Sequence, residues 1–241
     1  MSHGIPVGVA SSSPHTPPAM HRSLWPLALP AVALAMLVAG CQTPEPLPPS
    51  GPTVGTALDP ARADTAVFAG GCFWCMEKPF EELEGVHAVV SGFSGGHVAN
   101  PSYDQVSTKT TGHYESVEVI YDPSVVPYDT LLQVYWHNVD PLDDGGQFCD
   151  RGSPYRPAVF VRTPAERAAA ERTRAALAGR FDRPVVVPVL DAAPFYAAED
   201  YHQDFYRTNA EHYEAYRLGC RRDARLQQLW GDDAGHLGPA L

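Results

Sequence analysis

The chain is short of basic residues and of long apolar segments. Its 241 residues include 17 Lys and Arg against 28 Asp and Glu, a formal net charge of −11. This balance argues against a nucleic-acid-binding surface, because binding a phosphate backbone needs an excess of positive charge. The apolar run at residues 24–38 is too short to span a bilayer as a stable helix, and Pro26 and Pro30 interrupt it. This run is typical of an export signal instead.

The N-terminal segment ends its apolar run in a Val-Ala-Gly tripeptide directly before Cys41, and this stretch resembles the lipobox of bacterial lipoproteins. The resemblance implies a signal peptide at residues 1–40, a lipid on the Cys41 thiol, and a lipid-anchored, Pro-rich linker at 41–62. Gln42 favours the periplasmic face of the outer membrane over retention in the inner membrane. An uncleaved anchor or an ordinary signal peptide are the alternatives.

Residues 63–241 are predicted to form one domain, since the chain is 44% hydrophobic and its charges are scattered after residue 60. Strands are predicted at 65–69, 86–93, 113–121, 155–161 and 185–190, and helices at 72–85, 127–140, 165–178 and 199–217. The Gly- and Asp-rich segment 140–154 is predicted to be a loop. This alternation predicts an α/β (or α+β) two-layer sandwich, a mixed sheet flanked by helices. We expect a monomer.

Two cysteines three residues apart follow the first predicted strand, in the stretch GGCFWCME at residues 70–77. The spacing fits a redox dithiol, half of a metal site, or one nucleophile with an incidental neighbour. Metal is disfavoured, because a structural zinc site usually needs two compact ligand pairs and the sequence has no second CxxC or HxxxH pair. Cys72, at the predicted helix start, is expected to have a lowered pKa and to be more reactive than Cys75.

Four sequence blocks suggest a particular enzyme family. They are Gly-Cys-Phe-Trp at 71–74, GHYESVEVIYDP at 112–123, Asp-Arg-Gly and Tyr-Arg between 150 and 156, and AEDYHQ at 198–203. In this order they resemble the A-type peptide methionine sulfoxide reductases, over about residues 66–230. The resemblance implies a ferredoxin-like reductase fold, reduction of methionine S-sulfoxide, free or in proteins, and no metal or organic cofactor.

The same resemblance implies roles for residues of the site. Cys72 would attack the sulfoxide sulfur, and Phe73 and Trp74 would form the apolar pocket for the methyl group. Glu115 would protonate the departing oxygen. Its apolar neighbours on the predicted strand are expected to raise the pKa of its carboxyl, so that it holds a proton near neutral pH.

Three further residues match the family pattern. The hydroxyls of Tyr103 and Tyr155 would bind the sulfoxide oxygen, and Asp150 would organise the site through water. These roles come from the resemblance, since an isolated tyrosine would ordinarily be interpreted as a packing residue.

The implied cycle leaves a sulfenic acid on Cys72, which a second thiol converts to an intramolecular disulfide. Cys220 is the first choice for this resolving thiol, because in the family it commonly lies in the C-terminal segment. Cys75 and Cys149 remain candidates, and in an oxidising compartment one pair is available for a structural disulfide. The electron donor would be an external dithiol, thioredoxin-like or periplasmic.

Two other functions stay open on the sequence alone. A thioredoxin-like disulfide oxidoreductase would use Cys72 and Cys75 and would not need Glu115. A lipoprotein that binds a partner and has lost catalysis would not depend on Cys72. The favoured function is repair of oxidised methionine in proteins of the cell envelope.

Overall fold

The computed structural model describes residues 62–235. The predicted signal peptide, the predicted lipidation site Cys41 and the predicted linker up to residue 61 lie outside the described residues. None of the helices within residues 62–235 combines the length and the apolar character of a membrane-spanning segment.

Strands and helices alternate along the described residues. The strands are β1 (Asp64–Gly70), β2 (Val86–Ser94), β3 (Tyr114–Tyr121), β4 (Gly146–Gln147), β5 (Asp150–Arg151), β6 (Pro157–Val161), β7 (Val189–Asp191) and β8 (Tyr196–Ala197). The α-helices are α1 (Trp74–Glu81), α2 (Tyr103–Ser107), α3 (Tyr128–His137), α4 (Pro164–Leu177), α5 (Phe205–Thr208), α6 (Ala210–Gly219) and α7 (Arg222–Trp230). Single 3-10 turns cover Ser153–Tyr155, Asp200–His202 and Gly231–Asp233.

The larger sheet has the strand order β7-β6-β1-β3-β2-β8, and β4 pairs with β5 in a separate hairpin. Neighbouring strands are antiparallel except β6 and β7, which are parallel. Along the chain, β1-α1-β2-β3-α3-β6 is the βαββαβ arrangement of ferredoxin-like folds. The predicted α/β fold with a mixed sheet is confirmed.

The core lies between the sheet and helices α1 and α3. Phe68 of β1 stacks on Phe80 of α1, with ring centroids 5.1 Å apart, and on Tyr135 of α3 at 5.3 Å. The Tyr135 hydroxyl also donates a hydrogen bond to the carbonyl oxygen of Ala69, at 2.9 Å. These buried contacts hold the end of β1, the strand that leads directly into the GGCFWCME turn.

Two predicted segments differ from the structure in the middle of the chain. The predicted loop at 140–154 contains the β4–β5 hairpin. The strand predicted at 185–190 begins only at Val189 and ends at Asp191. Pro188 has no amide hydrogen to donate to a sheet, although its carbonyl oxygen accepts from the N–H of Val159 at 3.1 Å, and the paired register with β6 begins at Val189.

Candidate active site

The turn between β1 and α1 places Cys72 beside the end of a buried strand. Gly71 has φ of +83°, and a Cβ on it would lie 2.5 Å from the Cβ of Gln147, so glycine alone fits here. The N–H of Cys75 donates to the carbonyl oxygen of Cys72 at 3.1 Å. Cys72 is 6% exposed and lies just before α1, which begins at Trp74.

Cys72 and Cys75 are both free thiols, and their side chains hydrogen-bond with each other. Burial raises the pKa of Cys72 well above its usual value, and Cys75 and Glu115 act in the same direction. The hydrogen bond from Cys72 lowers the pKa of Cys75 to about 7, with help from Arg222 and Arg217. The prediction that Cys72 has a lowered pKa is therefore wrong, because desolvation of the buried thiol outweighs its favourable position before an eight-residue helix.

Glu115 lies on β3 and faces the same turn. It is 3% exposed, and its Oε2 accepts a hydrogen bond from the backbone N–H of Phe73 at 3.2 Å. Burial raises the pKa of its carboxyl to about 8, although that hydrogen bond acts in the opposite direction. Glu115 is thus protonated at neutral pH, as its apolar neighbours on the strand predicted.

Tyr103 and Tyr155 approach the same carboxyl from α2 and from the turn before β6. Their hydroxyls hydrogen-bond with each other, and both lie close enough to Glu115 to sense its charge. Burial raises the pKa of Tyr103 to about 12 and raises the pKa of Tyr155 as well. Two neutral hydroxyls and a protonated carboxyl therefore converge beside Cys72.

Asp150 lies on β5, in a hairpin within the segment for which the sequence predicts a loop. Tyr216 of α6 donates a hydrogen bond to its Oδ2, and the same hydroxyl is within hydrogen-bonding reach of the Cys72 thiol. Burial raises the pKa of Asp150, although Tyr216 and Arg222 oppose the rise. Sequence reasoning missed Tyr216, because α6 reaches the site only through tertiary packing.

An aromatic wall stands over the thiols. The indole of Trp74 stacks on Phe205 with ring centroids 3.7 Å apart, and its Nε1 donates to Nδ1 of His202 at 3.1 Å. The ring of Tyr216 meets the indole edge-on at 5.9 Å. Phe73 is 1% exposed, so it forms the base of the site and the partly exposed Trp74 forms its wall. His202 and Phe205 were not predicted, although they lie in or just after the AEDYHQ block.

Glu77 holds Phe205 against Trp74. Its Oε1 accepts hydrogen bonds from the Ser91 hydroxyl at 2.9 Å and from the N–H of Asp204 at 3.3 Å. Asp204 has φ of +51°, which ends the preceding 3-10 turn and starts α5 in a new direction. The helix predicted at 199–217 is therefore broken into separate pieces, and the break brings Phe205 to the site.

A disulfide closes the far side of the site. Cys149 and Cys220 are bonded, with Cα atoms 4.9 Å apart and a separation of 71 positions in sequence. Cys149 directly precedes Asp150, and the N–H of Cys220 donates to the carbonyl oxygen of Tyr216 at 2.9 Å. The bond therefore joins the two elements that carry Asp150 and Tyr216.

This pairing reorders the candidates for the resolving thiol. Cys220, the first choice, is bonded to Cys149 and is not a free thiol, whereas Cys75 contacts Cys72. Within the described residues, Cys149, Asp150 and Cys220 form one group of potential metal ligands whose atoms lie within 4.8 Å of one another. Cysteine binds metals as the thiolate, and the two sulfurs of this group are joined in a disulfide. The disulfide-bonded group therefore offers no thiolate ligand.

Two adjacent thiols beside a protonated carboxyl can deliver two electrons and a proton to a bound oxygen. On this fold, the arrangement defines the class as a thiol-dependent reductase. The family model of peptide methionine sulfoxide reductase matches residues 64–234. The chain belongs to this family.

Curated relatives match nearly the whole described part of the chain. Peptide methionine sulfoxide reductase MsrA 2 of Caulobacter vibrioides is 54% identical over 176 residues, which cover 73% of this chain and 89% of the relative. MsrA of Bacillus pumilus is 49% identical over 173 residues, covering 71% of this chain and 97% of the relative.

Solved structures agree with the fold. Methionine sulfoxide reductase A of Corynebacterium diphtheriae is 31% identical, with a TM-score of 0.58, covering 70% of this chain and 86% of that one. Reduced Mxr1 of Saccharomyces cerevisiae, at 23% identity and a TM-score of 0.60, covers 66% of this chain and 93% of that one. This second similarity concerns the fold alone.

Proposed function

We propose that Cys72 is the nucleophile with which this enzyme reduces methionine S-sulfoxide, free or in proteins, to methionine. The observation that carries the proposal is the position of a buried thiol beside a carboxyl that is protonated at neutral pH. Sulfoxide reduction needs a soft nucleophile at sulfur and a proton for the departing oxygen, and Cys72 and Glu115 supply them side by side.

Glu115 is the proton donor in this proposal. As the Cys72 sulfur attacks, the Glu115 proton moves to the sulfoxide oxygen. The bond between this oxygen and the methionine sulfur breaks, and the oxygen ends on the Cys72 sulfur as a sulfenic acid. The hydroxyls of Tyr103 and Tyr155 donate to the same oxygen, since they lie together beside Glu115. The electron pair of the broken S–O bond stays on the sulfur of methionine, which departs.

The aromatic wall recognises the apolar end of the substrate. Trp74 is held on two sides by Phe205 and His202, so its exposed surface stays in place for the substrate methyl group. Phe73 closes the base of this pocket. A rigid aromatic surface binds a methyl group without loss of side-chain entropy on binding.

Cys75 is the resolving thiol. It already contacts Cys72, and a pKa of about 7 leaves much of it as thiolate near neutral pH. The Cys75 thiolate attacks the sulfenic acid and forms the Cys72–Cys75 disulfide, while the hydroxyl group of the sulfenic acid leaves as water with a proton taken up from solvent. An external thioredoxin-like dithiol then reduces this disulfide and is itself oxidised. No metal or organic cofactor enters the cycle.

The enzyme acts at the cell envelope, held by a lipid on Cys41 at the periplasmic face of the outer membrane, where it repairs oxidised proteins. The small residues before Cys41 support the anchor. The Cys149–Cys220 disulfide supports an oxidising compartment, because such bonds persist outside the cytosol. Labelling of cells with a radioactive fatty acid tests the anchor: the wild-type chain takes up label, and a Cys41→Ala variant that was labelled equally would contradict it.

The cycle is tested with full-length protein and one equivalent of methionine S-sulfoxide, without reductant. We expect one methionine per enzyme and, by mass spectrometry, a new Cys72–Cys75 bond beside an unchanged Cys149–Cys220 bond. A Cys72–Cys220 bond would contradict the assignment of Cys75.

Glu115→Gln tests the proton donor. We expect it to slow sulfoxide reduction by about 100-fold or more, the usual contribution of a positioned general acid. Unchanged sulfoxide reduction would instead favour a thioredoxin-like disulfide oxidoreductase, which has no use for this carboxyl.

A further inference from the structure

The Tyr216 hydroxyl lies between the nucleophile and a second carboxyl. It donates a hydrogen bond to Oδ2 of Asp150 and is within hydrogen-bonding reach of the Cys72 thiol. A phenolic oxygen can accept one hydrogen bond while its own hydrogen is donated elsewhere. The hydroxyl of Tyr216 therefore links the thiol of Cys72 to the carboxylate of Asp150, beside the separate contact between Cys72 and Cys75.

Such a link answers a need of the buried nucleophile. Cys72 is 6% exposed, so water has little access to the proton that must leave before its sulfur attacks. Glu115, which also lies near the thiol, carries the proton that the sulfoxide oxygen requires. A different group must therefore accept the thiol proton.

We propose that Tyr216 is a catalytic residue that passes the proton of the Cys72 thiol to Asp150. The thiol proton moves to the Tyr216 oxygen while the Tyr216 hydrogen moves to Asp150 Oδ2. The products are a Cys72 thiolate, an intact Tyr216 hydroxyl and a neutral Asp150, with no electron transferred in this step. This inference rests on the proposed role of Cys72 as nucleophile.

Asp150 suits the end of this relay because it is partly exposed, so its proton can exchange with water before the next turnover. Cys75 is the other conceivable acceptor of the Cys72 proton, but it is 1% exposed and sealed from solvent. The titratable and charged groups around the relay come from several elements: Cys75 on α1, Tyr103 on α2, Glu115 on β3, and Arg217 and Arg222 at α6 and α7.

The ring of Tyr216 has a separate role, since it packs edge-on against Trp74. Tyr216→Phe keeps this contact and removes only the hydroxyl, so it separates proton transfer from packing. Tyr206→Phe is the matched control: the Tyr206 hydroxyl donates to Glu81 and is not part of the site.

The experiment measures two properties of full-length variants without reductant: the single-turnover rate as a function of methionine sulfoxide concentration, and the rate of Cys72 alkylation by iodoacetamide as a function of pH. We expect Tyr216→Phe to slow the turnover about 100-fold at unchanged KM. The alkylation profile should shift to higher pH. Tyr206→Phe should match wild type in both.

Asp150→Asn should resemble Tyr216→Phe, and the double variant should be no slower than either single one, because both break the same path. Wild-type rate and alkylation profile in Tyr216→Phe would overturn the relay. So would a shift caused by Cys75→Ser and not by Tyr216→Phe, which would make Cys75 the proton acceptor. Full activity in Cys72→Ser would instead refute the proposed nucleophile, a result distinct from failure of the relay.

Discussion

Cys72 and Cys75 lie three residues apart, buried and unbonded, whereas Cys149 and Cys220 lie 71 residues apart, more exposed and joined by a disulfide. The first pair is brought together by one turn of chain, so its contact needs no distant part of the molecule. The second pair meets only when α6 packs against the β4–β5 hairpin. Proximity that is local suits a bond that forms and breaks in each cycle, and proximity made by folding suits a bond that holds the fold.

The two thiols of the first pair differ from each other in their electrostatic surroundings. The pKa of Cys72 is raised by burial and by its neighbours Cys75 and Glu115, while Arg222 and Arg217 help to lower that of Cys75. The thiols of the first pair are thus unequal, with one that keeps its proton and one that loses it near neutral pH. An unequal pair is suited to two successive steps, attack on the substrate and resolution of the sulfenic acid.

The largest expected effect separates the pairs by activity. Cys72→Ser should abolish sulfoxide reduction, because a hydroxyl is a poor nucleophile toward sulfur and cannot form the sulfenic acid. Cys149→Ser should remain active in the same methionine-release assay. Loss of activity in both variants, with Cys149→Ser folded normally by circular dichroism, would break the distinction between a chemical and a structural pair.

A smaller effect is expected at Cys75. Cys75→Ser should complete a first turnover and then stop or slow strongly, since the sulfenic acid on Cys72 has lost its partner thiol. Rapid-quench measurement of methionine gives the first turnover, and the rate with a dithiol reductant gives the steady state. If the steady-state rate stays at the wild-type level, another thiol resolves Cys72.

The second pair should show its effect in stability. Closing a loop of 71 residues is worth about 4 kcal/mol on the chain-entropy model. The Cys149→Ser/Cys220→Ser double variant should therefore lose up to about 4 kcal/mol of unfolding free energy in a denaturant titration. The Cys72→Ser variant is the control, and an equal loss of stability there would contradict the assignment of Cys149 and Cys220 as the structural pair.

The smallest expected effect is the pH dependence of the single-turnover rate, which involves Glu115 beside the first pair. The pKa of Glu115 is about 8, so its proton is present below that pH and lost above it. The single-turnover rate should fall by about tenfold per pH unit above 8 as the donor ionises. Glu77→Gln is the matched control and should keep this descending limb. Burial raises the pKa of Glu77 to about 8 as well, but its carboxyl is hydrogen-bonded to Ser91 and Asp204.

Periodicity predicted most strands and helices, because each is a local pattern of apolar residues. It was wrong where a contact with a residue far away in sequence determines the backbone conformation. Asp204 adopts φ of +51° and breaks the predicted helix at 199–217, with its N–H bound to the Glu77 carboxylate 127 positions earlier. No pattern within the segment contains that information.

The site divides in the same way. The GCFW stretch and the strand around Glu115 could be identified from the sequence, since the turn, the thiol and the carboxyl lie in short motifs. Tyr216 and His202 could not be assigned roles, because their contacts join segments far apart in sequence: Tyr216 meets Asp150 across 66 positions and His202 meets Trp74 across 128.

By itself the sequence determined the groups whose placement is local: a thiol after a Gly-Gly turn, a second thiol one helical turn on, and an acid on an alternating strand. The tertiary structure decided which groups keep their protons, since burial raises the pKa of both Cys72 and Glu115. It also decided which cysteines are bonded. Desolvation and pairing depend on what surrounds a group in three dimensions, and neighbours along the chain do not fix them.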